Sequence, residues 1–299
     1  MANLRDIRRR IKSIKNTAQI TRAMQLVAAS KMKKAQDQAL AGRTYAEHLK
    51  AVLANLADEA AASGHPLMRE RDTENPRELV IVISTDKGLC GGLNTNLFRR
   101  VLREVPAESR LITVGNKARN TFARLRRDIA ADFQIKDPVA FSDTRNISRV
   151  AARMFLEGEV DVVRVAYTRF LSTLSQQPEI VRLLPLDTKL EDRASGLVAP
   201  KDATAAPAVS ADTFAEYLFE PSRAEVFASM LPLYVNYLFY QMTMEARASE
   251  HSARMVAMKS ATDNAKDLVK DLSLEYNKLR QAAITSELLE ISTAQAALG

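Results

Sequence analysis

The feature that most restricts this chain is where its helix breakers fall. Glycine and proline are both costly inside a helix. Between residues 1 and 63 there is only Gly42, and between 233 and 298 there is neither; apart from Gly299, every other breaker lies in 64–232. The two ends therefore read as long helices around a middle of a different kind. Positions taken in alternating steps of three and four read Leu4, Ile7, Ile11, Ile14, Ala18, Thr21, Gln25, Ala28, Met32, Ala35, Ala39, Gly42, Ala46, Leu49, Leu53, Leu56 and Ala60. Only Thr21, Gln25 and Gly42 interrupt this apolar seam. A repeat of about 3.5 residues sustained this long predicts a left-handed coiled coil. At about 1.5 Å per residue, 60 residues make a rod of roughly 90 Å, too long to lie within one compact domain.

Burial of each large seam side chain is worth about 1.5–3 kcal/mol, largely offset by ordering costs, so the helix needs a partner along its length. The other end supplies one. Met258, Ala265, Val269, Leu272, Tyr276, Leu279 and Ala283 follow a similar spacing on an unbroken stretch. The two ends can pair antiparallel. Alanines along the first seam allow close approach, while Ile20, Met24 and Val27 widen the apolar face toward a further surface.

The middle changes period. Residues 79–85 form a short β-branched run, followed by Asp86-Lys87-Gly88 and a helix expected near 96–104: strand, turn, helix. Strands are predicted again at 111–114, 161–167 and 180–184, with a helical segment near 147–156, giving an α/β domain. Residues 187–211 are rich in Ala, Pro, Asp and Ser and read as a mobile loop. Pro221 suits the first turn of a helix, whereas Pro232 should kink or restart it. The expected organisation is an N-terminal helix over 1–63, the α/β domain and its loop over 64–211, and a foot segment with the C-terminal helix over 212–299.

Candidate chemistry in the middle is sparse. Gly88-Leu-Cys-Gly-Gly-Leu-Asn94 follows a strand, where glycines can admit an anion to the backbone. Its spacing matches neither the dinucleotide fingerprint nor the Walker loop, so a structural turn is the better reading. His48, His65 and His251 lack partners at metal-ligand spacing and read as surface histidines. Asp86 and Lys87 end a strand where ligands often bind, but no second carboxylate, His or nucleophile accompanies them. Ser84, Ser249 and Ser252 have no nucleophile-elbow context and read as ordinary polar positions. Neither a catalytic residue, a cofactor nor a metal is called. Cys90 is the single cysteine, so an intramolecular disulfide is excluded and a reducing compartment fits.

Charge is uneven. Residues 1–50 carry twelve Lys/Arg against Asp6, Asp37 and Glu47, or +9, so with a net charge of +7 the remainder sums to −2. Such a helix can face nucleic acid, anionic lipid, an acidic protein surface or solvent. No apolar run approaches the roughly 20 residues a bilayer span needs, so the chain is expected to be soluble or peripheral. The seam starts at Leu4 and continues past residue 30, so the Arg-rich start belongs to the fold rather than to a transit peptide.

Three segments resemble one family. Residues 14–34 (Ile-Lys-Asn-Thr-Ala-Gln-Ile-Thr-Arg-Ala-Met-Gln-Leu-Val-Ala-Ala-Ser-Lys-Met-Lys-Lys) resemble the N-terminal helix of ATP synthase γ subunits. Residues 84–94 are similar to that family's Gly-rich signature. Residues 249–262 and 276–290, with Ala-Arg-Met-Val-Ala-Met-Lys and Asn-Lys-Leu-Arg-Gln-Ala-Ala-Ile-Thr, are similar to its C-terminal helix. They occur in the family's order and the resemblance covers essentially the whole chain.

The resemblance implies an α/β protein in which a long antiparallel coiled coil of the terminal helices carries an inserted Rossmann-like α/β domain. It implies a non-catalytic central rotor shaft of an F-type ATP synthase, coupling proton flow to ATP synthesis or hydrolysis and helping to regulate ATPase activity. The implied partners are the hexameric ring of α and β subunits, the ε subunit and the membrane c-ring. Arg22, Met24 and Gln25 look like the contact with the β-subunit lever. Arg254, Arg280, Gln281, Thr285 and Glu287 resemble residues that catch the β subunits or support torque. Tyr217, Phe219 and Glu220 are expected at the foot near the rotor ring. The thiol switch of photosynthetic relatives needs a cysteine pair and is excluded by the single Cys90. A peripheral place on the cytoplasmic face of a bacterial inner membrane is expected.

Two other readings remain open. A nucleic-acid-binding coiled coil rests on the basic helix, which lacks interleaved aromatics. A small α/β enzyme with helical arms rests on the turn around Gly88.

Overall fold

A computed structural model describes residues 4–56, 64–71, 75–186 and 219–298. Loop 187–211, Tyr217 and seam position Ala60 lie outside the described residues. The elements in chain order are α1 (Leu4–Asn55), β1 (Glu78–Ile83), α2 (Leu93–Glu104), β2 (Arg110–Val114), α3 (Asn116–Arg124), β3 (Ile129–Phe133), α4 (Phe141–Leu156), β4 (Val162–Phe170), β5 (Gln176–Leu184) and α5 (Arg223–Leu298). The chain divides into two compact units: residues 1–29 with 254–299, and residues 30–253.

In the first unit the terminal helices form the antiparallel coiled coil expected from the spacing. Along α1, Ile7, Thr21 and Ala28 are buried and Leu4, Ile11, Ile14, Ala18 and Gln25 half-buried, while most intervening residues are exposed. On α5 the complementary set is Met258, Thr262 and Ala265, buried, followed by half-buried Val269, Leu272, Tyr276, Leu279 and Ala283. The seam positions read from the sequence are thus those withdrawn from water. Thr21 does not weaken the seam: its hydroxyl meets that of Thr262 at 2.7 Å in a buried contact. Small residues at these levels leave room for close helix approach.

The second unit holds a five-stranded sheet in the order β3-β2-β1-β4-β5. β1 pairs in parallel with β2 and β4, β2 pairs in parallel with β3, and β5 returns antiparallel to β4. β1 is buried over Leu79–Ile83 because both faces are covered, which explains its continuous apolar run. Val80 and Val82 face Leu97, Phe98 and Val101 of α2 and Phe122 of α3. Leu79, Ile81 and Ile83 belong to the larger core with Ile147, Ala151 and Phe155 of α4, Leu49 and Leu53 of α1, and Phe227, Leu231, Val235 and Phe239 of α5. The C-terminal part of α1 and the N-terminal part of α5 therefore build the domain's second face.

Several local expectations change. β3 and α3 were not foreseen: β3 is a short edge strand with half-exposed side chains, and α3 is brief. α2 begins at Leu93 directly after the glycine turn, earlier than periodicity suggested, and α4 begins at Phe141. Pro178 lies in β5, an edge strand, where its missing N–H is tolerated. Pro221 precedes the helix instead of opening it: Ser222 is the cap, its Oγ accepting from the Glu225 N–H at 3.2 Å and meeting Glu225 Oε1 at 3.3 Å. Pro232 neither restarts nor ends α5, which runs through it. The hydrogen bond that proline removes is offset by its neighbours Leu231, Tyr234 and Val235, all buried in the core.

Candidate functional site

In the first unit, the side of α1 turned away from the seam carries Ile20, 61% exposed, Val27, 58% exposed, and Leu26, with the guanidinium-bearing Arg22 exposed among them. Large apolar side chains on a basic helix face suit a protein partner more than a solvated surface. Met24 and Gln25 are half-buried, so each presents part of its side chain outward while Gln25 also fills a seam position. On α5, Arg254 is half-buried, and Arg280, Gln281, Thr285 and Glu287 are exposed. The Thr285 hydroxyl donates to the Gln281 carbonyl at 3.0 Å, leaving the oxygen available as an acceptor. Ile284, Leu288, Leu289 and Ile291 are exposed beside them, continuing an apolar surface along the helix end. Of the foot residues, Phe219 is half-buried against the core with Arg223 over its ring at 5.4 Å, and Glu220 is exposed.

The glycine segment of the second unit is held by its own side chains. Asn94 Nδ2 donates to Thr85 Oγ1 at 2.7 Å and to Cys90 Sγ at 3.4 Å, and Thr85 Oγ1 donates to the Lys87 carbonyl at 2.7 Å. Gly91, at φ +59, supplies the left-handed turn. Asp86 accepts from the Asn116 N–H at 3.1 Å and lies 3.6 Å from Arg247 Nη2. Its carboxylate braces one strand-end loop against another and against α5.

Sequence reasoning missed a buried polar cluster on α5. Arg247 Nη1 meets Glu250 Oε2 at 2.7 Å, and its Nη2 donates to the Ile135 carbonyl at 2.6 Å. His251, expected at the surface, is only 3% exposed, with Nε2 3.3 Å from Asp137 Oδ2; Lys31 of α1 donates to the same oxygen at 2.7 Å. Burial pushes the Asp137 carboxyl up, but the Lys31 hydrogen bond and the charges of His251, Lys31 and Arg247 hold it below the usual range. Ser249 and Ser252 are buried as well, donating to the Thr168 and Thr173 carbonyls at 2.9 and 2.7 Å. Ser84 donates to the Val114 carbonyl and accepts from the Ala118 N–H. These serines are anchors between elements. The available signal was the spacing of Arg247, Glu250 and His251, three charged or polar residues on one helix face beside an apolar run.

A second buried carboxylate, Asp161, is tied by Arg77 Nη2 at 3.1 Å and Arg71 Nη1 at 3.2 Å. The Arg77 hydrogen bond, outweighing burial, holds it down at about 2. The described residues contain no helix long and apolar enough to cross a membrane.

The family model described as ATP synthase matches residues 3–298. The ATP synthase gamma chain of Opitutus terrae is 47% identical over 99% of this chain and 98% of its own length. That of Methylacidiphilum infernorum is 46% identical over the whole of both chains. Among solved structures, the fold is shared with a chain of the Euglena gracilis mitochondrial ATP synthase rotor, at 19% identity and TM-score 0.62 over 94% of this chain and 98% of that one. A chain of the Tetrahymena thermophila mitochondrial ATP synthase central stalk and c-ring gives 24% identity and TM-score 0.59 over 81% of this chain and 99% of that one. With the family model matched from end to end and full-length relatives at nearly half identity, this chain belongs to the ATP synthase gamma chain family.

Proposed function

We propose that the chain is the central rotor shaft of an F-type ATP synthase, coupling proton flow to ATP synthesis and hydrolysis at a ring of α and β subunits. The observation that carries this reading is the paired terminal helices, whose seam is satisfied internally while Ile20, Leu26, Val27 and the end of α5 present apolar side chains outward. A rotating helix pair must contact surrounding subunits differently at each angle. Differential contact is what shifts each neighbour among its conformations. The chain performs no chemistry itself in this reading; nucleotide turnover belongs to the ring, and the asymmetric shaft also helps regulate its ATPase activity. It works peripherally, on the cytoplasmic face of a bacterial inner membrane, with ε and the c-ring as further partners.

Arg22, Met24 and Gln25 are proposed to meet the β-subunit lever. Arg254, Arg280, Gln281, Thr285 and Glu287 are proposed to engage the β subunits nearer the end of α5. Phe219 and Glu220 are proposed, with Tyr217, for the foot. Exposure of Arg22, Arg280, Glu287 and Glu220 supports these roles, since exposed charge-assisted contacts can form and release as the shaft turns. The division at residues 63 and 211 into helix, α/β domain, and foot with helix is the organisation proposed for these tasks.

Purification of the tagged chain from its native membranes in mild detergent, with mass spectrometry of the stoichiometric partners, tests the reading. One copy with three α and three β subunits and ε is expected. A chain recovered alone, or with nucleic acid and steep salt-dependent DNA affinity, returns the basic helix to a nucleic-acid role.

A further inference from the structure

Glu245 stands on α5 where the helix packs against β4 and β5, and it is 2% exposed. Among the described residues, its Oε2 is enclosed without a hydrogen-bond partner. The hydroxyl of Tyr167 on β4, itself a buried residue, lies near enough to the carboxyl to favour its charged form. Among the described residues, the charged groups that face it are Arg169 of β4 and Glu179 of β5, which lie 3.8 Å apart. On its own helix, Arg247 is committed to Glu250, Asp86 and the Ile135 carbonyl. Tyr167, Arg169, Glu179, Arg182 and Met242 line an adjoining cavity of about 280 Å³.

A carboxylate with one oxygen unpartnered in such a place loses its hydration and regains little of it. A neutral carboxyl loses far less. We propose that Glu245, Tyr167 and the adjoining cavity form a proton-operated latch: neutral Glu245 keeps α5 closed on β4–β5, and release of its proton draws water toward the carboxylate through the cavity and loosens that packing. Burial pushes the Glu245 carboxyl up to about 7, with Arg169 opposing the shift and Glu179 adding to it. The folded value lies above the ordinary 4.5, so the stabilisation is complete below 4.5 and is lost as pH rises to about 7. The latch is a property of this chain alone and stands apart from its role in any assembly.

Hydrogen exchange of the purified full-length chain, corrected for the intrinsic rate and followed by mass spectrometry over residues 162–184, tests it between about pH 4.5 and about pH 8. Opening that exposes Glu245 returns its carboxyl to the ordinary 4.5, so protection of β4–β5 should fall by up to about tenfold per pH unit from there to about 7 and level off above it, where both states are ionised. Glu245→Gln should stay protected at both ends. Equal protection of the native chain at both pH values overturns the proposal, as does an unchanged response in Glu245→Gln. Should Glu245→Gln fail to fold, Tyr167→Phe decides: it removes a hydroxyl that favours the carboxylate, so the pH at which the fall levels off should rise. A levelling-off pH that does not move overturns the proposal.

Discussion

The hydroxyl oxygens of Thr21 and Thr262 lie 2.7 Å apart inside the helix seam, and each is also within reach of its own helix, Thr21 of the Ala18 carbonyl at 3.1 Å and Thr262 of the Met258 carbonyl at 2.8 Å. Two hydroxyls carry two protons, so one can satisfy a backbone carbonyl while the other crosses between the helices. Thr21→Val should therefore cost about 1 kcal/mol, since it removes the crossing bond but leaves Thr262 its carbonyl. The double substitution Thr21→Val/Thr262→Val should cost less than the sum of the two single ones. Denaturant midpoints of the four chains form the cycle, and strict additivity would mean that the two hydroxyls do not interact.

Gly115 has φ +96, and a Cβ there would stand 2.6 Å from the Ser84 carbonyl oxygen. Neither backbone can give way cheaply, because Ser84 and Gly115 end adjacent parallel strands. Gly115→Ala should destabilise the α/β unit by more than about 2 kcal/mol, combining left-handed strain with the overlap. Gly91, at φ +59 with open space around its Cβ position, is the control: Gly91→Ala should cost only about 1 kcal/mol. Thermal melting of the two variants side by side gives the comparison.

Asp161 is buried and held at about 2, below its usual 3.8. A depressed carboxyl stabilises the fold above its unfolded value and loses that contribution as pH falls toward the folded one. Stability should thus decline between about pH 4 and pH 2, by about 2 kcal/mol from this group. The exposed side of Arg77 lets solvent screen part of the interaction, which makes that figure an upper value. Asp161→Asn should flatten the decline in an acid-unfolding series while lowering stability at neutral pH.

Arg280 and Thr285 are exposed on α5, so Arg280→Ala and Thr285→Ala should leave the helix content and melting of the chain unchanged. In membranes carrying the assembled complex, each should slow ATP-driven proton pumping. Loss of one contact worth about 1 kcal/mol corresponds to about fivefold. Normal pumping by both variants would remove these positions from the proposed β-subunit contact.

The terminal helices and their seam were determined by the sequence, because helical periodicity is local: each turn repeats the same apolar phase, and no distant residue is needed to read it. Ile7, Thr21, Ala28, Met258 and Ala265 are buried as their spacing requires, and β1 is as continuous as its apolar run. The face left over, with Ile20 and Val27, was legible for the same reason. The tertiary structure alone decided the rest. β3 is an edge strand whose short, half-exposed segment carries little signal until β2 pairs with it. Pro232 remains helical because the core around Leu231 and Val235 opposes the break. His251 and Glu245 look like surface residues in the sequence, yet Asp137, Lys31 and Tyr167, which reach them from other elements, make their burial possible. A polar group's environment is set by what the fold brings against it, and the residues beside it in the chain do not contain that information.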